Sequence, residues 1–145
     1  MKVLGQSETA QVEMRPFESP PFETIDEEAI AALVDRFYAR VRQDPTLAPL
    51  FAQAIDDWDP HLATMRRFWA SVLLRAGTYR GNPVQAHERL EGLVPAHFSR
   101  WLELFSETAT ELFSSPERER ICHKASLIGA TLQSRVCRGD AVTGS

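Results

Sequence analysis

The sequence lacks the segments that direct a chain to or through a membrane. The first nine residues have no basic segment followed by an apolar run, and no stretch approaches the roughly 18 consecutive apolar residues of a membrane span. The sixteen basic and twenty acidic side chains are interleaved and give a formal net charge of −4, which argues against nucleic acid or an anionic membrane as a partner. We therefore expect a cytoplasmic protein that acts on small molecules.

The short motifs of common enzyme and metal sites are also missing. There is no His-Glu-x-x-His, no Cys-x-x-Cys, no glycine-rich phosphate loop and no Gly-x-Ser-x-Gly, so zinc, nucleotide and hydrolase sites lack their minimum parts. The two cysteines, Cys122 and Cys137, fall on one predicted helix about 22 Å apart at ~1.5 Å per residue, too far to bridge within one chain. We expect a monomer or a weak homodimer.

The composition indicates one α-helical domain. A chain of 145 residues with 43% hydrophobic side chains can bury a single core, and no run of alternating β-branched residues marks a strand. The fold class is therefore predicted to be all-α, with four substantial helices. Residues 1–21 form a predicted disordered tail, residues 22–138 the domain, and residues 139–145 a polar C-terminal tail.

Capping signals set the predicted helix ends. A Thr24-Ile25-Asp26-Glu27 capping box begins the first helix, which ends before Asp44-Pro45, and residues 46–57 supply one or two further turns. Three long helices follow, each with apolar residues at helical spacing. They run from Asp59-Pro60 to Gly77, from Leu93-Val94-Pro95 to about Leu112, and from Ser115-Pro116 to Gly139.

A short segment, Asn82 to Gly92, carries His87. Asn followed by Pro is typical of a helix start and Gly of a helix end, which leaves room for barely two turns. The segment is either a connector with a surface histidine or a short helix that directs the His87 imidazole toward a buried site. His87 and Glu91, four residues apart, can also chelate a metal with a further ligand, although such a pair is unspecific.

Three polar side chains interrupt the apolar faces of the long helices: Tyr38, His61 and Trp101. For each alone, ordinary core packing with a satisfied hydrogen bond is the commoner explanation. Together they favour a polar ligand inside an apolar pocket, because buried hydroxyl and indole groups need partners. We expect His97 and His123 to lie at the surface.

The order Phe37-Tyr38, Phe51, His61, Phe68-Trp69, His87, Trp101 resembles the truncated haemoglobins, and within them the third group. The resemblance spans residues 22–136 and implies a two-over-two α-helical sandwich that binds haem b. It implies that His87 is the iron ligand, through one ring nitrogen. It also implies that Tyr38, Trp101 and His61 face a diatomic ligand as hydrogen-bond partners, with His61 able to swing outward as a gate.

The resemblance assigns further haem contacts. Phe51 is expected to pack on the haem plane, and Phe37, Phe68 and Trp69 to wall the cavity. Met65 stands where a branched aliphatic residue is expected, so its longer side chain narrows the pocket or approaches the iron. Two further residues, Tyr79 and Arg80, are candidate partners for the haem propionates.

The implied function is reversible binding of oxygen and of other diatomic gases, nitric oxide and carbon monoxide. Redox chemistry on nitric oxide or peroxide, as a nitric oxide dioxygenase or a peroxidase, is a further option, and turnover would then require a reductase. The alternative is a haem-free α-helical interaction or regulatory module in which His87 is only a surface side chain.

Overall fold

The computed structural model describes residues 20–77, 79, 81–88 and 92–137. These residues form six helices and no strand, with one isolated bridge between Phe22 and Phe113. The helices are α1 (Glu27–Val41), α2 (Ala48–Ala54), α3 (Trp58–Leu74), α4 (Pro83–Glu88), α5 (Pro95–Leu112) and α6 (Glu117–Val136). The all-α prediction is confirmed.

Helix α1 lies at the centre of the packing. It contacts α3 and α5, while α6 packs on α5 and on the short α4. Its apolar face is fully buried at Ala29, Leu33 and Val41, and large aromatic side chains of α3 and α5 complete the core. None of the described helices is long and apolar enough to cross a membrane. The main core therefore lies between α1, α3 and α5, and Ile121 and Ala125 of α6 also belong to it.

The first helix begins later than its capping box predicts. Its N-cap is Asp26, in an extended conformation, and the Asp26 carboxylate accepts from the backbone N–H of Ala29 at 2.8 Å. Thr24 lies outside the helix, so its expected role as the cap is wrong. Asp is a strong N-cap, and the acidic first turn of Glu27 and Glu28 complements the helix dipole from that starting point.

The start of α3 is also displaced, by two residues toward the N-terminus. Asp57 rather than Asp59 is the N-cap, and its carboxylate accepts from the Asp59 N–H at 3.3 Å. Trp58 thereby becomes the first helical residue, one turn before His61. The helix ends at Leu74, before the expected Gly77, because Arg75 adopts a left-handed conformation with φ 58°. Similarly, α6 ends at Val136 and not at Gly139.

A buried carboxylate joins the end of α1 to α2 and α5. Asp44, 5% exposed, accepts from the backbone N–H of Thr46 and Leu47 at 3.1 and 3.0 Å and from Arg100 Nε at 2.8 Å. Burial opposes its charged form, but the hydrogen bonds from Arg100 and Leu47 outweigh burial and lower the pKa of Asp44. This carboxylate fixes the turn that carries the chain from α1 to Phe51.

We expect Asp44→Ala to lower the free energy of unfolding by about 1.5–3 kcal/mol, because it removes a buried charged acceptor from three donors. Since the folded pKa is lowered, the contribution is complete above the ordinary Asp pKa of about 3.9 and is lost as the pH falls through the folded value. Urea unfolding from pH 7 to pH 3 measures both effects. Asp35→Ala breaks an exposed pair with Arg66 and should cost no more than about 0.5 kcal/mol; an equal loss would contradict this account.

Candidate functional site

A single cavity of about 470 Å³ brings together most of the residues singled out in the sequence. Its volume lies in the range of small-molecule and cofactor sites, and most of its lining side chains are apolar. Residues from all six helices contribute. The cavity is lined by nine of the candidates: Tyr38, Phe51, His61, Met65, Phe68, Trp69, Tyr79, His87 and Trp101.

Two candidates are not among the lining residues. Phe37, expected to wall the cavity, lies one layer behind it at 1% exposure, with its ring centroid 4.8 Å from that of Tyr38 and 5.8 Å from that of Trp101. Its neighbour Tyr38 takes the inward position, so Phe37 supports two cavity residues without facing the cavity. Arg80 lies outside the described residues, as does Glu91, the suggested metal partner of His87.

His87 stands on α4 with one ring nitrogen already engaged. Its Nδ1 lies 2.7 Å from the backbone oxygen of Pro83, one turn earlier in the same helix. Because a carbonyl oxygen only accepts, Nδ1 carries the hydrogen in this contact and donates it. The Nε2 atom of the neutral ring then keeps its lone pair, which is the state in which imidazole binds a metal.

The boundaries of α4 explain how so short a helix holds this histidine. The helix begins with a hydrogen bond from Ala86 N–H to the Asn82 carbonyl at 3.0 Å. Gly81 and Gly92, on either side, adopt φ values of 149° and 84° that other residues rarely adopt. A side chain at Gly81 would also meet the Tyr79 ring, whose oxygen lies 2.7 Å from the position of a Cβ. The two turns confine α4 to the cavity edge.

Tyr38 and His61 form a polar pair in the cavity wall. Their ring centroids lie 5.1 Å apart with the planes at 85°. Burial raises the pKa of Tyr38, so its hydroxyl keeps its proton at neutral pH. Burial, and then the nearby charge of His87, lower the pKa of His61, so the neutral imidazole is favoured.

His61 carries an unsatisfied polar atom. Its Nε2 is buried and has no hydrogen-bond partner among the described residues. Such an atom costs about 1–3 kcal/mol of folding free energy and is rare in folded proteins. An unpaired nitrogen on a cavity-lining imidazole is what a ligand site requires, since an incoming ligand can supply the missing partner.

Trp101 reaches the cavity from α5 and is held by rings on one side and a glycine on the other. It stacks on Phe105, with centroids 5.4 Å apart at 15°, and meets the edge of Phe37. Gly129 of α6 lies so close that an added Cβ would stand 3.6 Å from the indole ring. The ring plane is therefore fixed by packing, which directs the indole with little freedom.

Two residues near the site were not identified from the sequence. His97 was expected at the surface, yet it is half-buried and lines the cavity, while its Nδ1 accepts from the Val94 N–H at 3.1 Å and caps α5. Trp58 packs on the outer side of Tyr38 and His61, with centroids 5.7 and 5.6 Å away. Its position three residues before His61 places it on the same helix face. This was missed in the sequence because the predicted helix began after Trp58.

We expect His61→Leu to stabilise the haem-free protein by about 1–3 kcal/mol, because it removes a buried atom without a partner. The gain should grow as the pH falls below about 6.5, where the unfolded wild-type chain binds a proton at His61 that the folded chain disfavours. Denaturant unfolding at pH 7 and pH 5.5 measures this. The matched His97→Leu variant loses a helix cap and should be destabilised by about 0.5–2 kcal/mol. Destabilisation by both variants would contradict the assignment.

Comparison with known proteins agrees with this geometry. A family model described as bacterial-like globin matches residues 22–133. The chain is 36% identical over 117 residues to the group 3 truncated haemoglobin ctb of Campylobacter jejuni, which covers 78% of this chain and 92% of that protein. The crystal structure of the group III truncated haemoglobin from Campylobacter jejuni is similar with a TM-score of 0.76 at 36% identity, and the match covers 80% of this chain and 94% of that one. The chain therefore belongs to the bacterial-like globins and, within them, to the group 3 truncated haemoglobins.

Proposed function

We propose that this globin binds haem b through His87 and that the loaded protein takes up oxygen, nitric oxide or carbon monoxide in the cavity lined by Tyr38, His61 and Trp101. Membership of the globin family implies haem binding. The observation that carries the proposal is the hydrogen bond from His87 Nδ1 to the Pro83 carbonyl, which leaves Nε2 as a metal-binding nitrogen.

The residues present fit a haem group. The lining is mostly apolar, as a porphyrin requires, and His87 presents one imidazole in the ligating tautomer. The unpaired Nε2 of His61 belongs to the same cavity and lacks a partner of the kind that a bound ligand provides. When bound, the haem supplies an iron that coordinates diatomic molecules. In the alternative, a haem-free interaction module, the Nε2 atoms of His87 and His61 have no role.

The chain supplies three groups that can stabilise a polar ligand. The Tyr38 hydroxyl stays protonated and donates, and the indole N–H of Trp101 can only donate. The neutral His61 ring has one donor and one acceptor nitrogen, so it adapts to the ligand that enters. Because all three line a desolvated cavity, their hydrogen bonds are stronger than the same bonds in water.

The apolar residues exclude water and shape the space. Phe51, Phe68 and Trp69 wall the cavity, and Trp69 is anchored by stacking on Phe105 at 4.8 Å. Met65 also lines the cavity, and its long side chain narrows the pocket in this proposal. Tyr79 stays a candidate propionate partner at the cavity edge; the same proposal for Arg80 rests on the sequence alone.

We expect wild-type protein titrated with haem b to develop a Soret band, and His87→Ala to lose the axial nitrogen and bind haem more weakly by at least about tenfold. The change is read from the absorption titration and from transfer of haem to a scavenger globin. His123→Ala is the matched control, since His123 is exposed on α6. Equal haem affinity in wild type and His87→Ala would contradict the proposed ligand, and no Soret band at all would contradict the function.

We expect Tyr38→Phe to release oxygen about 10- to 150-fold faster, because a hydrogen bond to a charged acceptor contributes roughly 1.5–3 kcal/mol. The phenyl ring preserves the contacts with Phe37, Phe51 and His61, so the change isolates the hydroxyl. Stopped-flow displacement measures the rate. Carbon monoxide, a much poorer acceptor, is the control ligand: similar acceleration for both gases would contradict a hydrogen bond and indicate a packing defect.

Three donors around one ligand favour retention of oxygen over rapid release, and this supports nitric oxide dioxygenation over simple transport. A reductase would then have to return the iron to the ferrous state after each turnover. Supplying nitric oxide, oxygen and a reductant and measuring nitrate over many turnovers separates the two roles, because a carrier forms at most about one nitrate per oxygenated haem, whereas a dioxygenase forms nitrate in large excess over haem. A peroxidase role, a cytoplasmic location and a monomer or weak homodimer stay proposals from the sequence.

A further inference from the structure

Two side chains lie one helical turn outside the donors Tyr38 and His61. Arg42, the C-cap of α1, follows Tyr38 by four residues, and on α3, Trp58 precedes His61 by three. Residues at these spacings share a helix face, so the two helices present matching pairs. The Arg42 guanidinium lies 4.7 Å from the centroid of the Trp58 ring. We call this contact the Arg42–Trp58 cover.

The cover separates the donor pair from solvent. Exposure increases outward, from buried Tyr38 through half-buried His61 and Trp58 to exposed Arg42. Trp58 does not line the cavity, yet its ring lies 5.6 Å from His61 at 88° and 5.7 Å from Tyr38 at 57°. It also stacks near Phe51, at 6.3 Å and 23°. The indole is thus held from inside by three rings and from outside by a cation.

The polar end of His61 is not held by a hydrogen bond, since its Nε2 has no partner among the described residues. The ring packs at nearly right angles against Tyr38 and Trp58. A buried imidazole with an unpaired nitrogen gains by turning toward water, unless packing prevents the rotation. The Trp58 ring contacts the His61 ring edge to face and is not part of the cavity lining, so rotation of His61 out of the cavity would have to displace it.

We propose that Trp58, steadied by the cation–π contact with Arg42, is a positioning residue that holds His61 inward and thereby sets the rate at which diatomic ligands enter the cavity. The inference rests on the proposed function, because it concerns access to the haem pocket. Arg42 and Trp58 do not line the cavity, and Trp58 reaches it only through its ring contacts with His61, Tyr38 and Phe51. Of these three, His61 is the one with an unpaired buried nitrogen, so the effect is assigned to His61.

Flash photolysis of the carbon monoxide complex tests this. Arg42→Gln removes a cation–π contact at an exposed site, and we expect bimolecular carbon monoxide binding to become about 2- to 5-fold faster. Trp58→Leu removes the aromatic contacts as well, and we expect an increase of about 2- to 12-fold. Trp58→Phe keeps an aromatic ring and should fall between Trp58→Leu and wild type.

The decisive comparison repeats Arg42→Gln and Trp58→Leu in a His61→Leu background. If the cover acts through His61, neither substitution changes the binding rate there. Persistence of the full effect would show that Trp58 is itself the barrier, and unchanged rates in the single variants would show that the Arg42–Trp58 cover does not restrain His61. Either result overturns the inference. The carbon monoxide stretching frequency supplies a second readout, since outward rotation of His61 removes a polar neighbour and shifts the band.

The controls separate this inference from the proposed function and from loss of fold. Arg66→Gln removes another partly exposed arginine, paired with Asp35, and should leave carbon monoxide binding unchanged. The Soret band of every variant reports haem binding independently of the kinetics. A normal Soret band with unchanged rates would contradict the role of the Arg42–Trp58 cover alone, whereas absence of the band in wild type would contradict haem binding itself.

Discussion

The hydrogen bond between His87 Nδ1 and the Pro83 carbonyl is the contact on which the functional geometry depends. At 2.7 Å it fixes both the tautomer and the ring orientation within a helix of six residues. A helix of this length is not stable by propensity, so its packing against α6 and the turns at Gly81 and Gly92 must hold it. The fold thus supplies an oriented imidazole with very little chain.

The cavity is kept in a state that costs stability. His61 leaves a buried nitrogen unpaired and Tyr38 buries a hydroxyl, although each position is surrounded by aromatic rings that an apolar residue would suit better. Rings of Phe37, Phe105 and Trp101 pack behind these groups and resist collapse of the cavity. Destabilising polar groups in a rigid apolar setting are typical of ligand sites, where binding recovers the lost interactions.

Much of this arrangement could be predicted from the sequence. Helical periodicity gave the helix class, and the inward spacing of Tyr38, His61 and Trp101 led to one cavity. Helix starts were less accurate, because Thr24 and Asp59 satisfy local capping rules that Asp26 and Asp57 satisfy better in the folded chain. Because the predicted start of α3 was two residues late, Trp58 was left outside the helix and was not recognised as a neighbour of His61.

Other features depend on contacts between distant residues and carry no local signal. Asp44 is read from the sequence as a helix stop, and only the fold brings Arg100 to it across 56 positions. His97 looked like a surface residue because its neighbour Phe98 takes the inward position, yet the cap with Val94 turns the imidazole to the cavity edge. The sequence predicted both Phe37 and Tyr38 at the cavity, but only Tyr38 lines it, and which ring faces the cavity follows from tertiary packing.

The most direct test of the central claim is resonance Raman spectroscopy of the ferrous, ligand-free protein, prepared with ¹⁵N-labelled histidine. We expect an iron–histidine stretching band that shifts with the label. Its frequency should fall when the Pro83 carbonyl can no longer accept from Nδ1. The band should be absent in His87→Gly and return, without the label shift, when unlabelled imidazole is added. A labelled band that persists in His87→Gly would show that another histidine binds the iron and would contradict the account.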